Sequence, residues 1–195
     1  SGEVIAYLPS NGRRLWSDSL TRAGRFTPIS AINDIASRPV LNAGVVYASS
    51  QSGVLAAIDG RTGTRIWNLP LGATQAPALA GEFLFVVSVD AEVACVEATT
   101  GRVVWVQKID GFENMKEKKN RISYSGPVIA SNRLVLASSD GRVLALSPQT
   151  GEILEERELV STGRFSRGSG FFIEPIVYEG RIYLLSDGGT IFAIG

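Results

Sequence analysis

Few residues in this chain have the type and spacing that catalysis needs. Histidine is absent, which removes the commonest general base and the commonest transition-metal ligand. The lone Cys95 lies in the apolar alternation EVACVEA. That pattern reads as a buried, inert thiol, and a single cysteine neither forms an internal disulfide nor reports a redox compartment. Asp59, Asp140 and Asp187 each stand in a glycine-containing turn sequence, where a carboxylate is expected to cap its own turn as an Asx motif. Glu97 occupies the register of Asp59, and Glu155 and Glu156 fall together in EILEERE, expected to be a solvated outer edge. No two carboxylates are placed across a common cleft in the manner of a glycosidase pair. Calcium-loop, P-loop and Gly-x-Ser-x-Gly patterns are absent, and the glycine-rich RGSGFF (Arg167–Phe172) lacks a strand–turn–helix context. Catalytic residues, cofactor ligands and metal ligands are therefore not expected.

Three tryptophans remain, and their spacing is the informative signal. They occur in TGTRIW (Trp67), TGRVVW (Trp105) and the variant NGRRLW (Trp16), while TGEILE places Glu155 at the equivalent position. An indole ring can stack on a planar cofactor or a peptide. A single ligand site, however, needs no copy in every repeat. The fixed register argues that Trp16, Trp67 and Trp105, with the turn glycines Gly63, Gly101 and Gly151, are structural features that pack one repeat over the next.

The elements that carry these motifs repeat as well. Four segments open with a proline and an apolar run, at Pro39, Pro77, Pro127 and Pro175. The first interval, from Pro39 to Pro77, is 38 residues, and the later ones are the same unit lengthened by loops near 112–123 and 161–173. Each unit holds four short β-prone runs, about 39–42, 45–49, 54–58 and 64–69 in the first full copy. They are separated by Asn-Ala-Gly, Gln-Ser-Gly, Asp-Gly and Thr-Gly turn signals, and no capped stripe of helical period appears. Four-stranded antiparallel units at a period near 40 define an all-β fold, a β-propeller. The expected organisation is one partial propeller domain over 1–195. It comprises the end of a blade at 1–20, full blades at 37–72, 74–111 and 124–161, and an incomplete last blade at 172–195. Such an arc leaves sheet edges open, so a partner chain or an edge-strand or swapped dimer is an expected partner.

Function on a repetitive scaffold is expected where the repeat breaks. Three connections do so: TRAGRFTPISAINDIAS (Thr21–Ser37), GFENMKEKKNRIS (Gly111–Ser123) and STGRFSRGSGFF (Ser161–Phe172). All three join the last strand of one unit to the first of the next, and so should emerge on one face. The first is the leading candidate for partner binding, because Phe26, Ile29, Ile32 and Ile35 flank Asp34 and solvent exposure alone explains these apolar residues poorly.

Nineteen basic and nineteen acidic side chains cancel, so no global field favours nucleic acid or an anionic membrane. Neither a signal peptide nor an apolar run of membrane-spanning length is present. Because the sequence opens inside a strand pattern, the expectation is a segment of a longer polypeptide.

The motif Ala-x-Asp-x-x-Thr-Gly-x-x-x-Trp, present as AIDGRTGTRIW and more loosely as CVEATTGRVVW, resembles the pyrroloquinoline-quinone (PQQ)-type propeller repeat. Within that superfamily the chain most resembles the C-terminal half of the BamB family of outer-membrane assembly propellers. FIEPIVYEGRIYLLSDGGTIFAIG is similar to that family's closing blade, and NDIASRPVLNAGVVYASSQSGVLAAIDGRTG to an internal one. The resemblance implies an eight-bladed ring closed by an N-terminal strand, and a periplasmic protein tethered to the outer membrane by a lipidated cysteine. It implies a non-catalytic scaffold without a cofactor, docking on the barrel-inserting subunit of the assembly machine. Asp34 matches an acidic contact position of the family, while Ala36 stands where a second acidic residue is expected. A quinoprotein dehydrogenase-like propeller, resembling the same repeat but built around PQQ and Ca2+, is the alternative, and another protein-binding propeller is a third reading.

Overall fold

The structure, a computed structural model, describes residues 2–21, 37–160 and 170–195. Among these residues all regular structure is β. Five antiparallel sheets follow one another along the chain. The first contains β1 (Glu3–Tyr7) and β2 (Arg14–Ser19). The second runs in order through β3 (Val40–Asn42), β4 (Val45–Ser50), β5 (Val54–Asp59) and β6 (Arg65–Leu69). The third holds β7 (Ala78–Ala80), β8 (Phe83–Val87), β9 (Glu92–Glu97) and β10 (Val103–Lys108). A two-stranded hairpin, β11 (Phe112–Asn114) and β12 (Lys119–Arg121), precedes the fourth sheet. That sheet is β13 (Tyr124–Ala130), β14 (Arg133–Ser138), β15 (Arg142–Leu146) and β16 (Ile153–Glu158). The fifth has three strands, β17 (Ile176–Tyr178), β18 (Arg181–Leu185) and β19 (Ile191–Ile194). Successive four-stranded meanders of this kind are propeller blades.

The hairpin departs from the expectation of a plain loop at 111–123. Phe112 pairs with Arg121 and Asn114 with Lys119. Positive φ at Lys118 and Asn120 closes the tip, and Asn114 Oδ1 accepts from the backbone N–H groups of Lys116 and Glu117.

Burial explains why the middle strands read as nearly continuous apolar runs. Residues of β5 alternate between two neighbours. Val54, Ala56 and Ile58 join Leu20 and Ala48 against the first sheet, while Leu55 and Ala57 join Leu84, Val86, Ala94 and Val96 of the third. The third and fourth sheets meet through Phe85, Val93 and Cys95 against Leu134, Leu136 and Leu144. The fourth and fifth meet through Val135, Ala137 and Val143 against Phe171, Ile182 and Leu184. The core is thus a row of inter-sheet seams. Each fully buried Leu or Ile contributes roughly 1.5–3 kcal/mol of transfer free energy.

The tryptophans stitch these seams together. Trp16 Nε1 donates to Gly60 O at 2.9 Å, Trp67 Nε1 to Ala98 O at 2.8 Å, and Trp105 Nε1 to Pro148 O at 3.1 Å. In each case the acceptor lies in the next sheet. The ring also covers the turn glycine of that sheet: a Cβ on Gly63, Gly101 or Gly151 would fall 2.7, 2.7 or 2.6 Å from the indole of Trp16, Trp67 or Trp105. These glycines have φ between 75° and 78°, a region costly for any side chain.

Candidate functional site

In an antiparallel meander, the turns between the second and third strands point the same way as the connections between sheets. One face of the arc therefore gathers the turns near 50–53, 88–91, 138–141 and 186–189, together with the connection at 111–123 and the described flanks of the other two, at 20–21, 37, 160 and 170–172. A serine organises every one of these turns. Ser50, Ser88, Ser138 and Ser186 each accept, through Oγ, the backbone N–H four residues on, from Val54, Glu92, Arg142 and Thr190 at 3.3, 3.2, 3.0 and 3.1 Å. Two of these serines also reach the neighbouring sheet. The Ala73 N–H donates to Ser50 O at 3.2 Å, and the Phe171 N–H to Ser138 O at 3.0 Å. Sequence reasoning missed this register, although the signal was present as a serine four or five positions before the third strand of each unit.

The leading candidate residues Phe26, Ile29, Ile32, Asp34 and Ile35 lie outside the described residues, as does most of the connection at 161–172. The flanks of the first connection are described. On one side Leu20 is fully buried, and its carbonyl accepts from Ser50 Oγ at 2.9 Å and Ser52 Oγ at 3.2 Å. On the other, Ser37 Oγ shares a 3.0 Å hydrogen bond with Ser49 Oγ, and both residues are buried. Residues 49–52 thus hold both ends of the candidate segment. Beside it, Arg38 Nη2 donates to Glu174 Oε2 at 2.6 Å, joining the entry of the second sheet to that of the fifth.

Further round the same face, Arg142 gathers three carboxylates. Its Nη2 lies 2.7 Å from Asp140 Oδ2, its Nη1 is 3.4 Å from Asp110 Oδ2, and it pairs with Glu156. Tyr124 donates its hydroxyl to Asp110 O at 2.8 Å, and burial raises the phenol's pKa. Asp140 therefore differs from the expected Asx turn, since its oxygens take the Ser138 hydroxyl and the Arg142 guanidinium. Asp59 does cap its own turn, accepting from Thr62 N at 2.7 Å and Arg61 N at 3.0 Å. Those Thr62 bonds, with a lesser part from Arg61, lower its pKa. Glu97 takes the Thr100 hydroxyl at 2.5 Å and the Arg102 Nε at 3.3 Å, which lower its pKa in the same way.

Glu155 and Glu156 lie on a solvated outer strand, as expected, and both are ion-paired there. Glu155 bridges Arg133 at 3.0 Å and Arg157 at 2.5 Å, and Glu156 belongs to the Arg142 cluster. Cys95 is buried, and desolvation pushes its thiol up to about 11. Among the described residues no group of three or more His, Cys, Asp and Glu is placed to hold a metal.

The fold and its inter-sheet tryptophans define a β-propeller built of PQQ-type repeats. The family described as outer membrane protein assembly factor BamB matches residues 1–107 and 113–195, and the chain belongs to that family. The BamB of Salmonella typhimurium is 27% identical over 194 residues, covering 100% of this chain and 45% of the relative. That of Escherichia coli K12 is 26% identical with the same coverage. The chain thus spans about half the length of the curated relatives it matches. The crystal structure of BamB from Moraxella catarrhalis superposes with a TM-score of 0.79 at 22% identity, over 98% of this chain and 52% of that one. A europium-containing methanol dehydrogenase shares the fold at a TM-score of 0.66 and 13% identity, over 98% of this chain and 45% of that one.

Proposed function

We propose that the protein is a non-catalytic scaffold of outer-membrane protein assembly, periplasmic and associated with the outer membrane. In this reading the chain is part of an eight-bladed ring, and sequence beyond these 195 residues carries a lipid anchor. It docks the barrel-inserting subunit through the connections on one face, with Asp34 and the apolar Phe26, Ile29, Ile32 and Ile35 as contacts. Membership of the BamB family carries this reading. The anchoring of Leu20 and Ser37 on residues 49–52 supports it, because recognition segments work best when a rigid scaffold fixes their ends.

The test is capture of the barrel-inserting subunit by the full-length protein. Asp34→Arg is expected to abolish capture without changing the thermal midpoint. Unchanged capture by that variant would remove Asp34 from the site, and failure of the unaltered protein would remove the scaffold reading. The shared fold with a methanol dehydrogenase keeps one alternative in play. PQQ with Ca2+ is expected to leave the midpoint where it is, and a clear rise would favour a quinoprotein.

A further inference from the structure

The outermost strands of the four sheets that have one differ in how they protect their open edge. β2 carries Arg14 and Asp18, β6 begins at Arg65 and is followed by Pro70, and β16 holds Glu155, Glu156, Arg157 and Glu158. Charges and prolines of this kind discourage a further strand from pairing. β10 reads VVWVQK: its one charge, Lys108, is at the end, and Val103, Val104 and Val106 are exposed, the last at 51%.

The hydrogen-bonding groups on that edge can be assigned. The Ile109 N–H donates to Ala91 O at 3.0 Å, and Gln107 lies opposite Val93 and Val106 opposite Ala94 in the β10–β9 register. Antiparallel alternation then directs the amides of Gln107 inward to β9 and those of Val106 and Lys108 outward. β10 is the terminal strand of its sheet among the described residues.

The two ends of β10 differ chemically. At the Val103 end, a cavity of about 350 Å3 opens in the seam with the fourth sheet, lined by Phe85, Cys95, Val104, Trp105, Ile129 and Pro148. At the Lys108 end, the chain runs into the β11–β12 hairpin, whose tip carries Lys116, Lys118 and Lys119 around the exposed Met115. Lys119 pairs with Glu117 at 2.7 Å, whereas Lys116 and Lys118 make no ion pair among the described residues.

We infer that the outer edge of β10 is a docking site for an extended polypeptide segment that adds a strand to the third sheet. The outward N–H groups of Val106 and Lys108 and the Val106 carbonyl supply the pairing, the Gln107 side chain exchanging its 2.8 Å bond to Lys108 O for the added strand, and alternate apolar side chains lie along the exposed valines. One apolar side chain enters the cavity beside Trp105, and an acidic end meets Lys116 and Lys118, next to Lys108, which itself lies 3.9 Å from Glu92. Strand addition of this kind draws affinity from main-chain bonds and selectivity from side-chain pockets. Charge complementarity at the hairpin fixes which end of the occupant lies there. The inference is independent of the loop-mediated docking proposed above.

The experiment titrates the chain into a fluorescein-labelled peptide of about ten residues, alternating Val and Thr and ending in two aspartates. Saturable anisotropy is expected, weakened at least ~tenfold by Val106→Pro, which removes an outward amide. Val106→Lys, which keeps the amide but charges the edge, serves where the proline variant does not fold, and is expected to weaken binding likewise. Lys116→Glu with Lys118→Glu is expected to weaken the acidic-ended peptide and not one ending in Ser-Ser. No saturable binding would overturn the inference. Binding that tolerates both Val106 variants, or alternate N-methylation of the peptide, would do the same. So would a sedimentation dimer abolished by Val106→Lys, because a second copy would then occupy the edge.

Discussion

The indole of Trp67 lies over Gly101 of the next sheet so closely that a Cβ there would stand 2.7 Å from Cδ2, and the same indole donates to Ala98 O at 2.8 Å. One side chain thus reads both ends of a neighbouring turn, its backbone carbonyl and its bare Cα. Tyr47 backs the ring from its own sheet, with centroids 6.1 Å apart. Gly101→Ala is expected to destabilise the chain by about 2–4 kcal/mol, combining the left-handed φ of 75° with steric overlap. Trp67→Phe should cost less, about 1–2 kcal/mol, chiefly from the lost donor to Ala98. Urea unfolding of both variants measures the difference. An equal loss in the two would mean that the close approach matters no more than the hydrogen bond.

Arg142 offers a second point of leverage. Its side chain is 20% exposed and serves Asp140, itself 10% exposed, as well as Asp110 and Glu156. Arg142→Leu leaves these carboxylates without their shared cation and is expected to cost about 1–3 kcal/mol after solvent screening. Because Asp110 follows β10 and Glu156 lies on β16, the loss is a loosening between the third and fourth sheets. A double-mutant cycle with Glu156→Gln should show coupling of about 0.5–1.5 kcal/mol. Strict additivity would place the effect on Asp140 and Asp110.

Cys95 predicts an alkaline weakness. Its thiol moves from the ordinary 9.0 to about 11 because burial opposes the thiolate. The folded chain then keeps the proton at a pH where the unfolded chain has released it. The contribution is present in full below pH 9 and is lost as pH rises toward 11, on the order of 2 kcal/mol. Cys95→Ala should flatten the stability profile across that window, while costing stability at neutral pH through the lost packing. An unaltered profile would show that the thiol does not set it.

The architecture was legible because repetition multiplies a weak signal. One Thr-Gly turn says little, but Gly63, Gly101 and Gly151 at matching offsets fix the strand order of three sheets. The acceptors of the tryptophans were not legible, since Gly60, Ala98 and Pro148 each belong to the following unit and nothing local marks their carbonyls. The β11–β12 hairpin escaped because its pairing depends on positive φ at Lys118 and Asn120, residues with no strong turn signature in that position. Arg142 escaped for a third reason: its partners at 110, 140 and 156 come from three different elements. The serines at 50, 88, 138 and 186 were readable in principle, but serine near a turn is so common that only alignment of all four units isolates its role.

The direction of the tryptophan bonds has a consequence for how the polypeptide is made. Each donor waits for an acceptor further along the chain, 44 residues on for Trp16, 31 for Trp67 and 43 for Trp105. As the chain emerges from N- to C-terminus, each of the first three sheets presents an indole that has no acceptor until the following sheet is made. If sheets form in the order in which they are made, these three seams close like a zip, and the unsatisfied indole is confined to one repeat at a time.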